Sequence, residues 1–207
     1  MATTMEARRT FVPGFGREWL LPLYDPVTKL LGLGPARRAL IAHASLRPWH
    51  RVLDIGCGTG TLAVQIKRRQ ADVEVVGLDP DAKALVRGSL KAKRAGVSVQ
   101  FDRGFSDALA YPDESFDRVF SSFMFHHLEL QEKERTLREV RRVLKPDGRL
   151  LLLDFAGHER SHPRLANNTE SIVLALMREA GFVEPKTIEH RTPFAGLMHI
   201  VYYEAIR

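Results

Sequence analysis

From residue 51 onward, short apolar runs alternate with amphipathic stretches. Arg51-Val52-Leu53-Asp54-Ile55 is apolar-rich with a carboxylate near its end, the pattern of a buried strand. Val73–Leu78 is β-branched and stops at Asp79, Val97–Phe101 is a third run, and Asp117–Ser121 begins a fourth after the turn Pro112-Asp113-Glu114-Ser115. Arg149–Phe155 is a fifth, nearly all leucine in its middle, as suits a strand covered on both faces. Helical spacing fills the intervals. Thr61-Leu62-Ala63-Val64-Gln65-Ile66 opens one helix, and Asp81–Ala95 is stopped by Gly96. Glu129–Leu144 sets Leu137, Val140 and Leu144 on one face and ends at Lys145-Pro146-Asp147-Gly148. A helix is also predicted over residues 35–46, with Pro35 in its first turn and Leu40, Ile41 and Ala44 on one side. Asn168–Ala180 is another, stopped by Gly181. Val183–Arg191 and Leu197–Ile206 then follow without a crossover helix, so they are expected to pair antiparallel.

This alternation predicts an α/β fold: a Rossmann-like, doubly wound, mostly parallel seven-stranded sheet with an antiparallel C-terminal edge hairpin. The 207 residues suffice for one good core. Residues 35–207 read as a single domain, and residues 1–34, rich in Pro, Gly and aromatics, as an appended cap or lid.

The net charge of +6 admits nucleic acid or an anionic substrate as a partner. The basic residues are spread over several helices, however, and Arg135, Arg138, Arg141 and Arg142 interleave with Glu132, Glu134 and Glu139 at helical pairing distances, which favours a solvated face. Cys57 is the only cysteine, so no internal disulfide exists, and a reducing, cytoplasmic compartment is expected. No apolar stretch of secretory type follows Arg8 and Arg9, and Pro13, Arg17, Glu18, Pro22, Asp25, Pro26 and Lys29 break any membrane span over residues 11–34.

The candidate chemistry begins where the first strand turns into the next helix. Gly56, Gly58 and Gly60 alternate with Cys57 and Thr59, and glycines at such a turn let backbone approach a ligand closely. Dinucleotide dehydrogenases space their glycines as G-x-G-x-x-G, so this spacing disfavours a nicotinamide cofactor. A zwitterionic amino-acid tail fits instead, its carboxylate meeting N–H groups at the helix start and its ammonium meeting Asp54. Asp79, at the end of the second strand, is placed to accept both ribose hydroxyls; the alternative is a turn residue before Pro80. Cys57 reads as a small residue between glycines rather than a nucleophile.

Val52–Gly60, Gly77-Leu78-Asp79, the block from Gly104 to Leu128 and the helix exit from Arg142 to Leu150 resemble a class I S-adenosylmethionine-dependent methyltransferase, in the ubiquinone/menaquinone-biosynthesis-like branch of small-molecule enzymes. The resemblance spans about residues 36–157. It implies S-adenosylmethionine as cofactor, S-adenosylhomocysteine as product, and methyl transfer to an O, N, C or S atom of a small acceptor. It implies contacts from Asp54, Gly56, Cys57, Gly58, Thr59, Gly60, Asp79 and Pro80. Phe105 would lie against the purine, where an Asp is common, and Ser106 would present its backbone or hydroxyl to the exocyclic amine; Asp107 is the alternative. Ser121 and Ser122 fall beside the methionine moiety, and Tyr24, in a Tyr-Asp element, would close over the cofactor.

His126 and His127, after the fourth strand, are candidate general bases, since imidazole titrates near neutrality; the alternative is that they only orient the loop. No metal is expected, because adjacent side chains diverge and no third ligand has a suitable spacing. His158 and His162 read as solvent-facing, and Phe11, Phe15, Trp19 and Tyr24 as pocket wall or core. Two alternatives remain. A nucleic-acid methyltransferase is disfavoured because Ser121-Ser122-Phe123-Met124 lacks the Asn/Asp-Pro-Pro-aromatic element of base-amine enzymes. A non-catalytic S-adenosylmethionine-binding regulatory partner is the other.

Overall fold

The computed structural model describes residues 33–157, 163–192 and 199–207. In chain order the elements are α1 (Leu33–His43), β1 (Arg51–Ile55), α2 (Thr61–Arg69), β2 (Glu74–Asp79), α3 (Ala82–Arg94), β3 (Gln100–Arg103), β4 (Phe116–Ser122), a 3-10 turn (Phe125–His127), α4 (Leu130–Val143), β5 (Leu144–Phe155), α5 (Pro163–Ala166), α6 (Glu170–Glu179), β6 (Val183–Arg191) and β7 (Ile200–Ile206). The seven strands form one sheet in the order β3-β2-β1-β4-β5-β7-β6. The first five strands are parallel to one another, and β7 enters antiparallel to both β5 and β6. The C-terminal hairpin therefore sits at the expected edge, with β6 outermost.

Two apolar layers sandwich the sheet, and period-two alternation builds both. Leu150 and Leu152 of β5 join Leu53, Val119, Leu137, Val140 and Met177 on one side, while Leu151 and Leu153 join Leu40, Leu62, Ile66 and Phe120 on the other. This is why β5 carries four consecutive leucines. Helix starts are set by side chains. Asp81 accepts from the Lys83 and Ala84 amides (2.8 and 3.2 Å), and Glu129 and Glu132 form a capping box at α4.

Several boundaries differ from expectation. α1 runs Leu33–His43 rather than over 35–46, with Leu33 buried in the core, so the helix crosses the boundary expected between residues 34 and 35. β3 begins at Gln100 rather than residue 97, because Val97 still closes the end of α3 through its N–H to the Ala92 carbonyl (3.1 Å). β5 begins at Leu144: Leu144 pairs with Phe116 and Arg149 with Arg118, so Lys145–Gly148 bulge out between them, with Asp147 at φ 63°. α6 begins at Glu170, since the Thr169 hydroxyl caps the Ile172 amide (3.4 Å).

Candidate functional site

Strand order reverses between β1 and β4, and in open α/β sheets ligands bind at such a switch point, beyond the carboxyl ends of the strands. All the described candidate residues lie along that edge. Gly56, Gly58 and Gly60 adopt φ of 63°, 54° and 69°, which a side chain would strain. They serve different ends. A Cβ at Gly56 would overlap Met124, and one at Gly60 would meet the Phe101 ring at 2.7 Å. At Gly58 a Cβ would meet nothing within 4 Å among the described residues, so the loop presents bare backbone there. Lys91 reaches from α3 to the hydroxyls of Thr59 and Thr61 (2.9 and 2.6 Å), bracing the loop from behind.

Asp79 accepts the Gly58 N–H (2.8 Å) and the Asp81 N–H (2.9 Å), one on each oxygen. Each oxygen keeps a lone pair for a further donor. Burial pushes its carboxyl up to about 6 against those two amides. Asp54 is wholly buried, and neither of its oxygens has a hydrogen bond of normal geometry. Burial pushes its carboxyl up to about 7; the Arg37 guanidinium and the Ala63 amide oppose this, and Asp79 adds to it. Burial and the two aspartates also push the Cys57 thiol well above its ordinary value, which disfavours the thiolate.

Arg37, on α1, escaped the sequence reading. It is 4% exposed, has no hydrogen bond or ion pair among the described residues, and lies 5.3 Å from the centre of the Phe123 ring. A buried guanidinium and a buried carboxylate, close enough for Arg37 to oppose the rise of the Asp54 carboxyl, lie together with no hydrogen bond of normal geometry among the described residues. Groups so little satisfied by the protein suit a ligand bearing both signs. With open backbone at Gly58 and the half-buried carboxylate of Asp79, the residues present fit the methionine tail and ribose of S-adenosylmethionine.

The segment after β3 is held by α4. Arg135 pairs with Asp107 (3.0 Å), Glu139 accepts the Leu109 amide (2.8 Å), and Arg142 donates to the carbonyls of Leu109 and Tyr111 (2.9 and 2.8 Å). Two candidate side chains here are engaged by α4. The Ser106 hydroxyl bonds the Thr136 hydroxyl (2.9 Å), so it is turned toward α4 and the backbone is what faces a base. The Asp107 side chain is 6% exposed and one of its oxygens pairs with Arg135. Phe105 itself is half-buried beside them. The arginine-rich face of α4 is likewise only partly solvated, because Arg135 and Arg142 bond groups about thirty residues away in sequence. Ser121 is buried and its hydroxyl has no hydrogen-bond partner among the described residues, while Ser122 is half-buried at the end of β4.

Beyond Ser122 the chain turns through Phe123, a non-glycine residue at φ 58°, into the 3-10 turn. His126 Nδ1 lies 2.5 Å from Asp154 Oδ1, and the His126 backbone N–H donates to Asp154 Oδ2 (2.8 Å). Phe155 N–H also donates to Oδ1 (2.8 Å). A carboxylate receiving backbone donors on both oxygens is an acceptor, so Nδ1 of His126 carries the proton that it holds and Nε2 is the ring nitrogen turned away from it. Asp154 lies 28 residues from its partner, beyond the reach of any local spacing pattern. The His127 ring stacks on His126 at 4.0 Å and makes no such pair with Asp154. Tyr24, His158 and His162 lie outside the described residues. Among the described residues no cluster of metal-ligating side chains occurs, and no helix is long and apolar enough to cross a membrane.

Residues 52–148 match the family model of a methyltransferase domain, and residues 105–194 also match that of the anamorsin N-terminal region, which begins past the glycine loop and Asp79. The chain is 39% identical over 139 residues to a demethylmenaquinone methyltransferase of Deinococcus radiodurans, covering 66% of this chain and 57% of that one. It is 34% identical over 160 residues to the 27-O-demethylrifamycin SV methyltransferase of Amycolatopsis mediterranei, covering 70% of this chain and 57% of the relative. The matched region thus spans little more than half the length of these curated relatives. The YcgJ protein of Bacillus subtilis has the same fold, with a TM-score of 0.70, 22% identity, and coverage of 83% of this chain and 97% of that structure. The glycine loop and Asp79 lie within residues 52–148, so the methyltransferase-domain match falls on the candidate site, and these findings together support a class I S-adenosylmethionine-dependent methyltransferase.

Proposed function

We propose that this protein transfers the sulfonium methyl group of S-adenosylmethionine to a small acceptor whose reacting atom must first lose a proton, such as a hydroxyl or an acidic carbon. The cofactor supplies an activated methyl group and a neutral thioether leaving group. The chain's residues supply binding, alignment and proton removal. In this reading Asp79 accepts from the ribose hydroxyls, Asp54 accepts from the ammonium, and Arg37 donates to the carboxylate. The glycine loop lets the ligand lie against backbone, and Phe105 and the Ser106 backbone flank the base.

The His126–Asp154 pair carries the choice of acceptor. An amine free base attacks a methyl group without help, whereas a hydroxyl gains its nucleophile only on deprotonation. Nε2 of His126 has no partner among the described residues, and Asp154 would hold the imidazolium that forms. A small-molecule acceptor in the cytoplasm is favoured over nucleic acid, because Arg135, Arg142 and Arg149 are already engaged by acidic side chains. We place catalysis in residues 35–207, with residues 1–34 as a cap.

The test is S-adenosylhomocysteine release with panels of phenols, alcohols, carbon acids and amines. His126→Ala is expected to lower kcat on the accepted class by roughly 10²–10⁴ near neutral pH, with cofactor affinity preserved. Turnover of amines alone, or an active His126→Ala enzyme, contradicts the reading.

A further inference from the structure

Lys133 is the most anomalous residue of α4. It is wholly buried, and it stands in the first turn of a helix, where the macrodipole disfavours a cation. No carboxylate lies within ion-pair distance among the described residues; its Nζ donates instead to the Asn167 carbonyl (2.7 Å) and to Asn168 Oδ1 (2.8 Å) and sits 5.2 Å from the centre of the Phe125 ring. Burial lowers its pKa to about 8, with Asp154 and Glu129 opposing. A leucine or methionine there would avoid the desolvation of a charge, so packing does not explain a lysine.

What Lys133 holds gives the reason. Asn168, also wholly buried, uses its amide in both senses: Oδ1 accepts from Lys133 and Nδ2 donates to the Phe155 carbonyl (2.8 Å). Its backbone carbonyl accepts the Gly157 N–H (3.1 Å). A lysine has no acceptor and a carbonyl no donor, so this orientation of the amide is the only one that serves both. Phe125 precedes His126, Phe155 follows Asp154, and the Phe155 ring meets the His126 ring edge-on at 5.2 Å. One ammonium and one amide therefore grip the residues next to both halves of the histidine–aspartate pair.

We propose that Lys133 and Asn168 form a buried latch that fixes the His126–Asp154 pair, making both positioning residues for the proposed proton transfer. The latch rests on the reading of that pair as the base. It acts without touching cofactor or acceptor, by holding the imidazole with Nδ1 on Asp154 and Nε2 outward.

The Nδ1 proton of His126 reports on the latch directly. In the full chain with ¹⁵N-labelled histidine, one slowly exchanging imidazole N–H resonance is expected, and Asp154→Asn should abolish it. Lys133→Met and Asn168→Ala should each speed its exchange with water at least about tenfold, while affinity for S-adenosylhomocysteine, bound at a separate part of the site, stays within about twofold. Asn168→Asp keeps an acceptor for Lys133 but loses the donor to Phe155, and is expected to speed exchange as well; it decides the matter if Lys133→Met does not fold. Unchanged exchange in folded Lys133→Met and Asn168→Ala, with the resonance lost in Asp154→Asn, overturns the latch and leaves the pair standing. A resonance that survives Asp154→Asn overturns the pair and the latch together.

Discussion

Asp54 and Arg37 bring opposite charges into one buried corner, and neither has a hydrogen bond of normal geometry there among the described residues. Asp54 was legible as a candidate because it precedes the glycine loop in the same short segment. Arg37 was not, because it sits on a helix whose apolar residues drew the reading, 17 residues upstream of Asp54. The raised carboxyl of Asp54 has a thermodynamic consequence. In the unfolded chain it titrates near its ordinary value, 3.8, and in the ligand-free fold near 7, so the stability it contributes is present at low pH and is lost as pH rises through about 7. Asp79, raised to about 6, acts in the same direction. Chemical denaturation between pH 5 and 8 should therefore show ligand-free protein losing stability relative to Asp54→Asn, and equal slopes would contradict the assignment. The ligand reverses the preference: an ammonium needs the ionised carboxylate, so affinity for S-adenosylhomocysteine should fall as pH is lowered from 8 to 6. A pH-independent affinity in calorimetric titration would remove Asp54 from the site.

At the scale of elements, the cofactor edge depends on helices braced against loops. The Phe101 ring of β3 occupies a socket between Gly60, Gly77 and Gly88; a Cβ on any of them would come within about 3 Å of the ring. Gly60 and Gly77 could be read from the sequence as a loop glycine and a strand-end glycine. Gly88, in the middle of α3, could not, since an interior helical glycine has no local reason to be there. Helix propensity alone makes Ala better than Gly by about 1 kcal/mol. We expect Gly88→Ala to lower Tm nonetheless, because the new Cβ would lie 2.8 Å from Phe101 Cε1 and the ring has glycine backbone on its other sides. A Tm at or above that of the unmodified protein would refute the socket. The same limit governs α4. Its amphipathic period and its end at Leu144 were readable, but the partners of Arg135, Thr136, Glu139 and Arg142 lie about thirty residues upstream, where spacing carries no information.

Over the whole molecule, periodicity revealed seven strands and a mostly parallel sheet, because buried strands and amphipathic helices have different apolar periods. The pairs that join distant elements, His126 with Asp154 and Lys133 with Asn168, emerged only with the fold. The sheet brings the carboxyl ends of β1, β2, β4 and β5 to one edge, so that the glycine loop, Asp79 and the histidine–aspartate pair share one face of the switch point. The cofactor assignment rests on this chain's own residues and is the claim on which the others depend. Calorimetric titration of S-adenosylhomocysteine into the folded protein tests it most directly. The account predicts saturable binding to one site per chain, weakened at least about tenfold by Asp79→Ala through loss of hydrogen bonds to a charged group. No binding by the folded protein, or an affinity untouched by Asp79→Ala, would contradict it.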